Sequence, residues 1–286
     1  GEQVVLSTSW LNPSAGPAAI TGTVSSFVPV GVLGGTYAIV DGDASFGSIG
    51  AGAVGDCWGG AGDCYEVSVP VPAVRPATHW DSKVTETLST GVPRARILHL
   101  GDSFTDVPRS HWAYRYVETI LHNGVTAGCT VDSYCPAASL TRAEMAVLLL
   151  AARHGPGWTP PAPTGTVFSD VPAGHWAGAF IEELAAEGIT SGCGPGVYCP
   201  GSPITRAEMA VFLLVAEHGS GWVPPPPTGT VFPDVPAGHW AGAFIEALAA
   251  EGITSGCGGG NYCPDSPVSR AEMAVFLTLT FGLNLY

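Results

Sequence analysis

Three arginines, Arg142, Arg206 and Arg270, recur 64 residues apart, and each stands in the first turn of a helical run. A cation there opposes the helix dipole, at roughly 0.3–1 kcal/mol. From Gly155 to Tyr286 the only formal cations are Arg206 and Arg270, so a region starved of positive charge places it at an electrostatically poor spot. An anionic partner resolves the conflict, with helix N–H groups and a guanidinium facing one carboxylate or phosphate. An internal pair with Glu182, Asp170 or a neighbouring unit's carboxylate resolves it as well, with Glu118 and Asp106 as the equivalents for Arg142. Both readings stay open at this level.

Other polar residues keep the same step. Asp106, Asp170 and Asp234 precede His111, His175 and His239, and each His is followed by Trp112, Trp176 or Trp240. The histidines read as helix caps or packing residues. The tryptophans read mainly as core, with sugar stacking as the alternative. The eight cysteines form four close pairs: Cys57 with Cys64, Cys129 with Cys135, Cys193 with Cys199, and Cys257 with Cys263. Isolated pairs at spacings of five and six intervening residues suit local disulfides, hence an oxidising compartment. Zinc is the rival, but its sites join a C-x2-4-C pair to a second, matching pair. No nucleophile elbow, P-loop, H-E-x-x-H or dinucleotide fingerprint occurs, so catalysis is not expected. No cofactor or metal is implied.

The elements that position these residues follow from the second copy. A helix is expected from about His175, with Trp176, Phe180, Ile181 and Leu184 as its apolar stripe and Gly188 after its end. A Gly/Pro-rich loop closed by Cys193 and Cys199 follows. Thr205-Arg206-Ala207-Glu208 then fits a capping box ahead of an apolar run, and Thr141/Glu144 and Ser269/Glu272 repeat it. Each unit is two helices joined by a disulfide-closed loop. The proline-rich linkers carry Trp158 and Trp222, which are expected to dock on neighbouring units and close the array.

These units resemble S-layer homology domains. The motifs are FSDVPAGHWA at Phe168–Ala177, EGITSG at Glu187–Gly192 and ITRAEMAVFL at Ile204–Leu213, with LTRAE and VSRAE in the other copies. The resemblance implies three repeats, 102–155, 166–219 and 230–286, packed as a pseudo-threefold prism. It implies that the grooves between them bind an anionic cell-wall polysaccharide, pyruvylated in many members. On that reading Arg142, Arg206, Arg270, Asp106, Asp170, Asp234, Trp112, Trp176 and Trp240 are the candidate glycan-binding residues. One departure is that cysteines flank the loop where Gram-positive members typically carry DGTF-like residues, which leaves the polymer open.

The chain of 286 residues carries a formal net charge of −14, with Lys83 its one lysine. Such a surface repels phosphate backbones and offers no polybasic patch to anionic lipid, so nucleic acid is a poor partner. No apolar run approaches the 18–20 residues or so of a membrane span. The chain opens on Gly1 rather than Met, as expected of a mature product whose signal peptide has been removed.

Residues 1–100 differ in kind. Strand-like runs at Gln3–Leu6, Ile20–Val30, Thr36–Val40, Tyr65–Val71, Lys83–Leu88 and Arg96–Leu100 suggest an antiparallel, immunoglobulin-like β-sandwich of six or seven strands. Within it the stretch GDCWGGAGDCYEV is expected to be a loop pinned by Cys57 and Cys64. The whole chain is thus an α+β multidomain protein. Two roles fit: an extracellular, non-catalytic anchor to wall glycan, or a subunit of a filament or surface lattice. In the second, the N-terminal run GEQVVLSTSW would add as a strand to another copy.

Overall fold

The computed structural model describes residues 1–30, 35–70, 80–91, 93–100 and 102–285. The expected strand position at Val71 lies outside them. The chain divides into two compact units, Gly1–Ser103 and Phe104–Tyr286.

The first unit holds antiparallel sheets of three, two and four strands among the described residues. In chain order the strands are β1 (Glu2–Leu6), β2 (Ser9–Leu11), β3 (Ala18–Pro29), β4 (Ala38–Asp41), β5 (Asp43–Ile49), β6 (Val54–Asp56), β7 (Tyr65–Val69), β8 (Asp81–Leu88) and β9 (Pro93–His99). The long strand β3 alternates up to Val24, burying Ile20 and Val24, and a shift in its register against β8 between Val24 and Ser26 then brings Phe27 inward. It lies between β5 and β8, and β9 completes that sheet.

The segment between Cys57 and Cys64 departs from the plain loop expected of it. It opens as a short helix, α1 (Cys57–Gly60), because the Asp56 carboxylate accepts from the Gly59 N–H and caps the turn. The expected disulfide from Cys57 to Cys64 is present. Cys57 is fully buried, whereas Cys64, directly before β7, is half-buried against the core of this unit. The bridge thus ties the start of α1 to the start of β7.

The N-terminal run expected to pair with another copy is paired within the chain: β1 runs antiparallel to β7, with Glu2 opposite Val69, and β2 pairs with β6. Strand addition to another copy would require β1 to leave β7. Strands β2, β5 and β6 are additional to the runs read from the sequence.

The second unit holds α2 (Tyr114–His122), α3 (Arg142–His154), α4 (Gly178–Ala186), α5 (Arg206–His218), α6 (Gly242–Ala250) and α7 (Arg270–Thr280), two helices per repeat. All three capping boxes form: Thr141, Thr205 and Ser269 accept from the N–H of Glu144, Glu208 and Glu272, whose carboxylates accept from the N-cap N–H. Such a cap contributes about 1 kcal/mol. The first helix of each repeat begins later than its apolar stripe suggests. In the second repeat a turn from Pro172 to His175 precedes it, His175 Nδ1 accepts from the Ala177 N–H, and the helix starts at Gly178. Ile181 and Leu184 are fully buried, whereas Trp176 lies outside the helix and is exposed.

One apolar core runs through all three repeats, and their backbones join in a closed cycle. Leu140 N–H donates to Val268 (2.8 Å), Val268 to Ile204 (2.9 Å) and Ile204 to Leu140 (3.0 Å). The linker tryptophans dock as expected. Trp158 stacks on His154 and meets Phe180 of the next repeat edge-on, and Trp222 does the same with His218 and Phe244.

Candidate functional site

The three arginines are buried, at 3%, 3% and 6% exposure, so each needs a polar partner. Each finds it in another repeat, the third closing back on the first. Arg142 Nε donates to the Tyr198 carbonyl (2.8 Å), and the Tyr198 hydroxyl donates back to the Arg142 carbonyl (2.9 Å). Arg206 with Tyr262, and Arg270 with Tyr134, repeat this exchange. The Nη1 atoms reach Glu208 (2.8 Å), Glu272 (2.6 Å) and Glu144 (3.5 Å) respectively. Of the internal partners weighed from the sequence, it is therefore the neighbouring repeat's carboxylate that takes the arginine. Glu182 instead accepts from the N–H groups of Thr164 and Gly165.

The idea that free helix N–H groups would join the arginine around one anion does not survive. Arg142 and Ala143 donate to the carbonyls of Ser202 and Pro200, and the other two repeats do the same with Ser266/Pro264 and Ala138/Pro136. The capping boxes take the remaining first-turn donors. The N-termini of α3, α5 and α7 are each completed by another repeat and are closed to an outside anion.

The aspartates are loop clamps. Asp170 accepts from the N–H of Tyr198 (2.8 Å) and Cys199 (2.7 Å), and Asp106 and Asp234 hold the equivalent pairs. Burial pushes the Asp170 and Asp234 carboxyls up, but these N–H donors outweigh it and hold both below the usual carboxylate range. The clamp accounts for a rare backbone state. Cys135, Cys199 and Cys263 have φ of 59°, 60° and 58°, which an L-residue adopts only when held. Their disulfide partners are Cys129, Cys193 and Cys257. The bond between Cys57 and Cys64 lies in the first unit and takes no part in these loops. All eight cysteines are therefore structural.

The tryptophans correct the sequence reading. Trp112, Trp176 and Trp240 are 62%, 66% and 66% exposed, because each sits in the turn before a helix rather than on its inward stripe. Each lines a groove with residues of the other two repeats. Groove A joins Trp112 to the Arg206–Glu272 pair and the Ile253–Gly256 turn. Groove B joins Trp176 to Arg270–Glu144 and Val125–Gly128, and groove C joins Trp240 to Arg142–Glu208 and Ile189–Gly192. Every groove is thus built alike, from an exposed indole, a buried arginine paired with a half-exposed glutamate, and a Thr-x-Gly turn. The structure brings the candidate arginines and tryptophans together, while the aspartates hold the loops. Sequence reading offered a neighbouring unit's carboxylate without naming Glu144, Glu208 and Glu272, although their 64-residue step was the available signal. A further cluster, Glu217, His218 and Glu251, gathers three ligand atoms within 4.8 Å, but it is exposed and His218 already contacts Glu251 at 2.9 Å.

The repeat array thus carries a like groove at each seam. Its repeats are S-layer homology domains: the model of that family matches residues 103–146, 167–210 and 231–274. The chain is 32% identical over 183 residues to an S-layer protein of Bacillus licheniformis, and 31% to S-layer protein EA1 of Bacillus anthracis. Each match covers 63% of this chain and 20% of the relative, so the chain spans about a fifth of those proteins. It is 28% identical over 149 residues to a cellulosome-anchoring protein of Acetivibrio thermocellus, covering 50% of this chain and 32% of that one.

Proposed function

We propose that this is an extracellular, non-catalytic cell-surface protein that holds to an anionic envelope polysaccharide through its S-layer homology domains. The observation that carries this is the groove architecture: three seams, each presenting an exposed tryptophan beside a buried arginine that pairs with a half-exposed glutamate. An indole face is a platform for a sugar ring, and the guanidinium supplies the positive field that an acidic sugar requires. Names of relatives that refer to S-layers and to anchoring agree with it. Four disulfides suit an oxidising, extracytoplasmic setting. We assign residues 102–155, 166–219 and 230–286 to a pseudo-threefold unit, and residues 1–100 to an immunoglobulin-like sandwich that links it to partners. Pyruvylated sugars are the acid of choice for the grooves.

Retention on purified cell-wall sacculi tests the reading. The wild-type chain is retained, and the Trp112→Ala/Trp176→Ala/Trp240→Ala variant is not. Because the three side chains are exposed, their loss leaves the core intact. Equal retention of both, or of neither, defeats the proposal. A lattice or filament subunit is the second reading, favoured by apolar side chains on short strands of the first unit: Val5, Leu11 and Val54 are 46%, 57% and 66% exposed. Assemblies that persist after deletion of residues 1–12, seen by negative-stain microscopy, exclude strand addition as their joint.

A further inference from the structure

The ends of α5 and α6 meet where the second repeat joins the third. Glu217 and His218 close α5, and Glu251 is the C-cap of α6. A helix C-terminus carries partial negative charge and favours cations. Here two such ends bring two carboxylates together. His218 Nε2 lies 2.9 Å from Glu251 and 3.9 Å from Glu217. One oxygen from each carboxylate and one imidazole nitrogen all lie within 4.8 Å of one another. Trp222 stacks on the His218 ring, centroid to centroid at 4.4 Å, and holds its plane.

The preceding junction shows what balances such a pair of helix ends. Arg153 and His154 close α3, and Glu187 is the C-cap of α4. His154 Nε2 lies 2.7 Å from Glu187, and Arg153 Nε lies 3.2 Å from it. One repeat step later the histidine, the glutamate and the stacked tryptophan are all kept, but Glu217 stands in the place of Arg153. A carboxylate has replaced the guanidinium that neutralised the site. No side chain of these two repeats takes over its charge. From Gly155 to Tyr286 the only Arg or Lys residues are Arg206 and Arg270, and both are buried against other glutamates. At the junction of the third repeat with the first, the equivalent positions are Phe281, Gly282 and Asn123, which supply neither carboxylate nor imidazole.

We propose that Glu217, His218 and Glu251 bind one divalent transition-metal ion of the zinc type, which stands in for the Arg153 guanidinium and staples the third repeat to the second. One imidazole and two carboxylates form a zinc donor set, whereas calcium and magnesium take oxygen ligands. Tetrahedral zinc at about 2.0–2.2 Å from its donors sets them about 3.4 Å apart, so these exposed side chains close on it with shifts of about 1 Å. The fourth position is left to water or to an outside ligand. None of the three residues lines a groove, so the site stands apart from the glycan reading.

Zinc chloride titrated calorimetrically into the tag-free full chain at neutral pH tests it. The wild type takes up one ion, and at zinc about a hundredfold above Kd its Tm rises by about 5 °C or more. Calcium chloride produces neither effect. Glu217→Arg copies the preceding junction, which folds with an arginine there, and weakens zinc binding by about a hundredfold or more, since a ligand is lost and a like charge is added. Glu187→Gln, at the preceding junction, leaves zinc binding unchanged. Zinc binding by Glu217→Arg as tight as by the wild type, calcium binding as tight as zinc, or no heat and no Tm shift with zinc in the wild type overturns the inference.

Discussion

Replacing Arg142 by alanine separates a structural arginine from a free one. The side chain donates to the Tyr198 carbonyl, pairs with Glu208, and lies 4.9 Å and 5.3 Å from the ring centroids of Tyr198 and Phe212. Its removal orphans a buried carbonyl, which costs about 1–3 kcal/mol, and forfeits ring contacts of about 1 kcal/mol. Glu208 is 29% exposed and regains water, so the full penalty of about 3–5 kcal/mol for breaking a wholly buried pair does not apply. The loss comes to about 3 kcal/mol. For a unit of this size each kcal/mol lowers Tm by about 2–4 °C, so a drop of about 6–12 °C follows. Far-ultraviolet circular dichroism reads it selectively, because among the described residues every helix beyond the four-residue α1 belongs to the second unit. Arg142→Lys should fall between, since one ammonium cannot reproduce the fork that spans Tyr198 and Glu208. A shift below about 2 °C for Arg142→Ala would refute the burial-and-pairing account, and with it the closed cycle of repeats.

Two further outcomes follow. Asp170 and Asp234 are held below the usual carboxylate range by backbone donors, so the unfolded chain binds their protons first. Their contribution is complete above the ordinary value of about 3.9 and is lost as pH falls through the lower native value. Tm should therefore hold from neutral pH to about 5 and fall below about 4, and Asp170→Asn/Asp234→Asn should flatten that fall; identical profiles would show that the clamps do not titrate with folding. Gly192 has φ of 98°, and a Cβ there presses on the Val197 carbonyl, so Gly192→Ala should cost about 1–3 kcal/mol in thermal melts. Gly174, with open space around it, is the control: if Gly174→Ala is as damaging, the local strain argument fails.

Local chemistry was readable from the chain alone. The T-x-x-E boxes specify three helix starts because both hydrogen bonds are made within four residues. The cysteine pairs, six or seven residues apart, likewise need no distant partner. The bond from Cys57 to Cys64 was legible in this way, but the helical turn inside it was not, since α1 holds two glycines in four residues and rests on the Asp56 cap. What else escaped is set by neighbours. Trp176 fits a helical stripe by spacing, yet Pro172 and the His175 cap delay the helix until Gly178 and leave the indole outside. The helix N-terminal donors looked available because their acceptors, Ser202 and Pro200, belong to another repeat. Strands β2 and β6, of three residues each, are too short to display an alternation, and Gly47 interrupts the pattern of β5.

The backbone cycle through Leu140, Val268 and Ile204 also acts as a counting device. The second repeat donates to the first, the third to the second, and the first hands its own donor to the third. Two repeats would expose an unfinished seam, and a fourth would find no vacancy. Copy number is therefore fixed by valence rather than by length. A gene that duplicated this region should yield two separate rings on one string, not one longer rod.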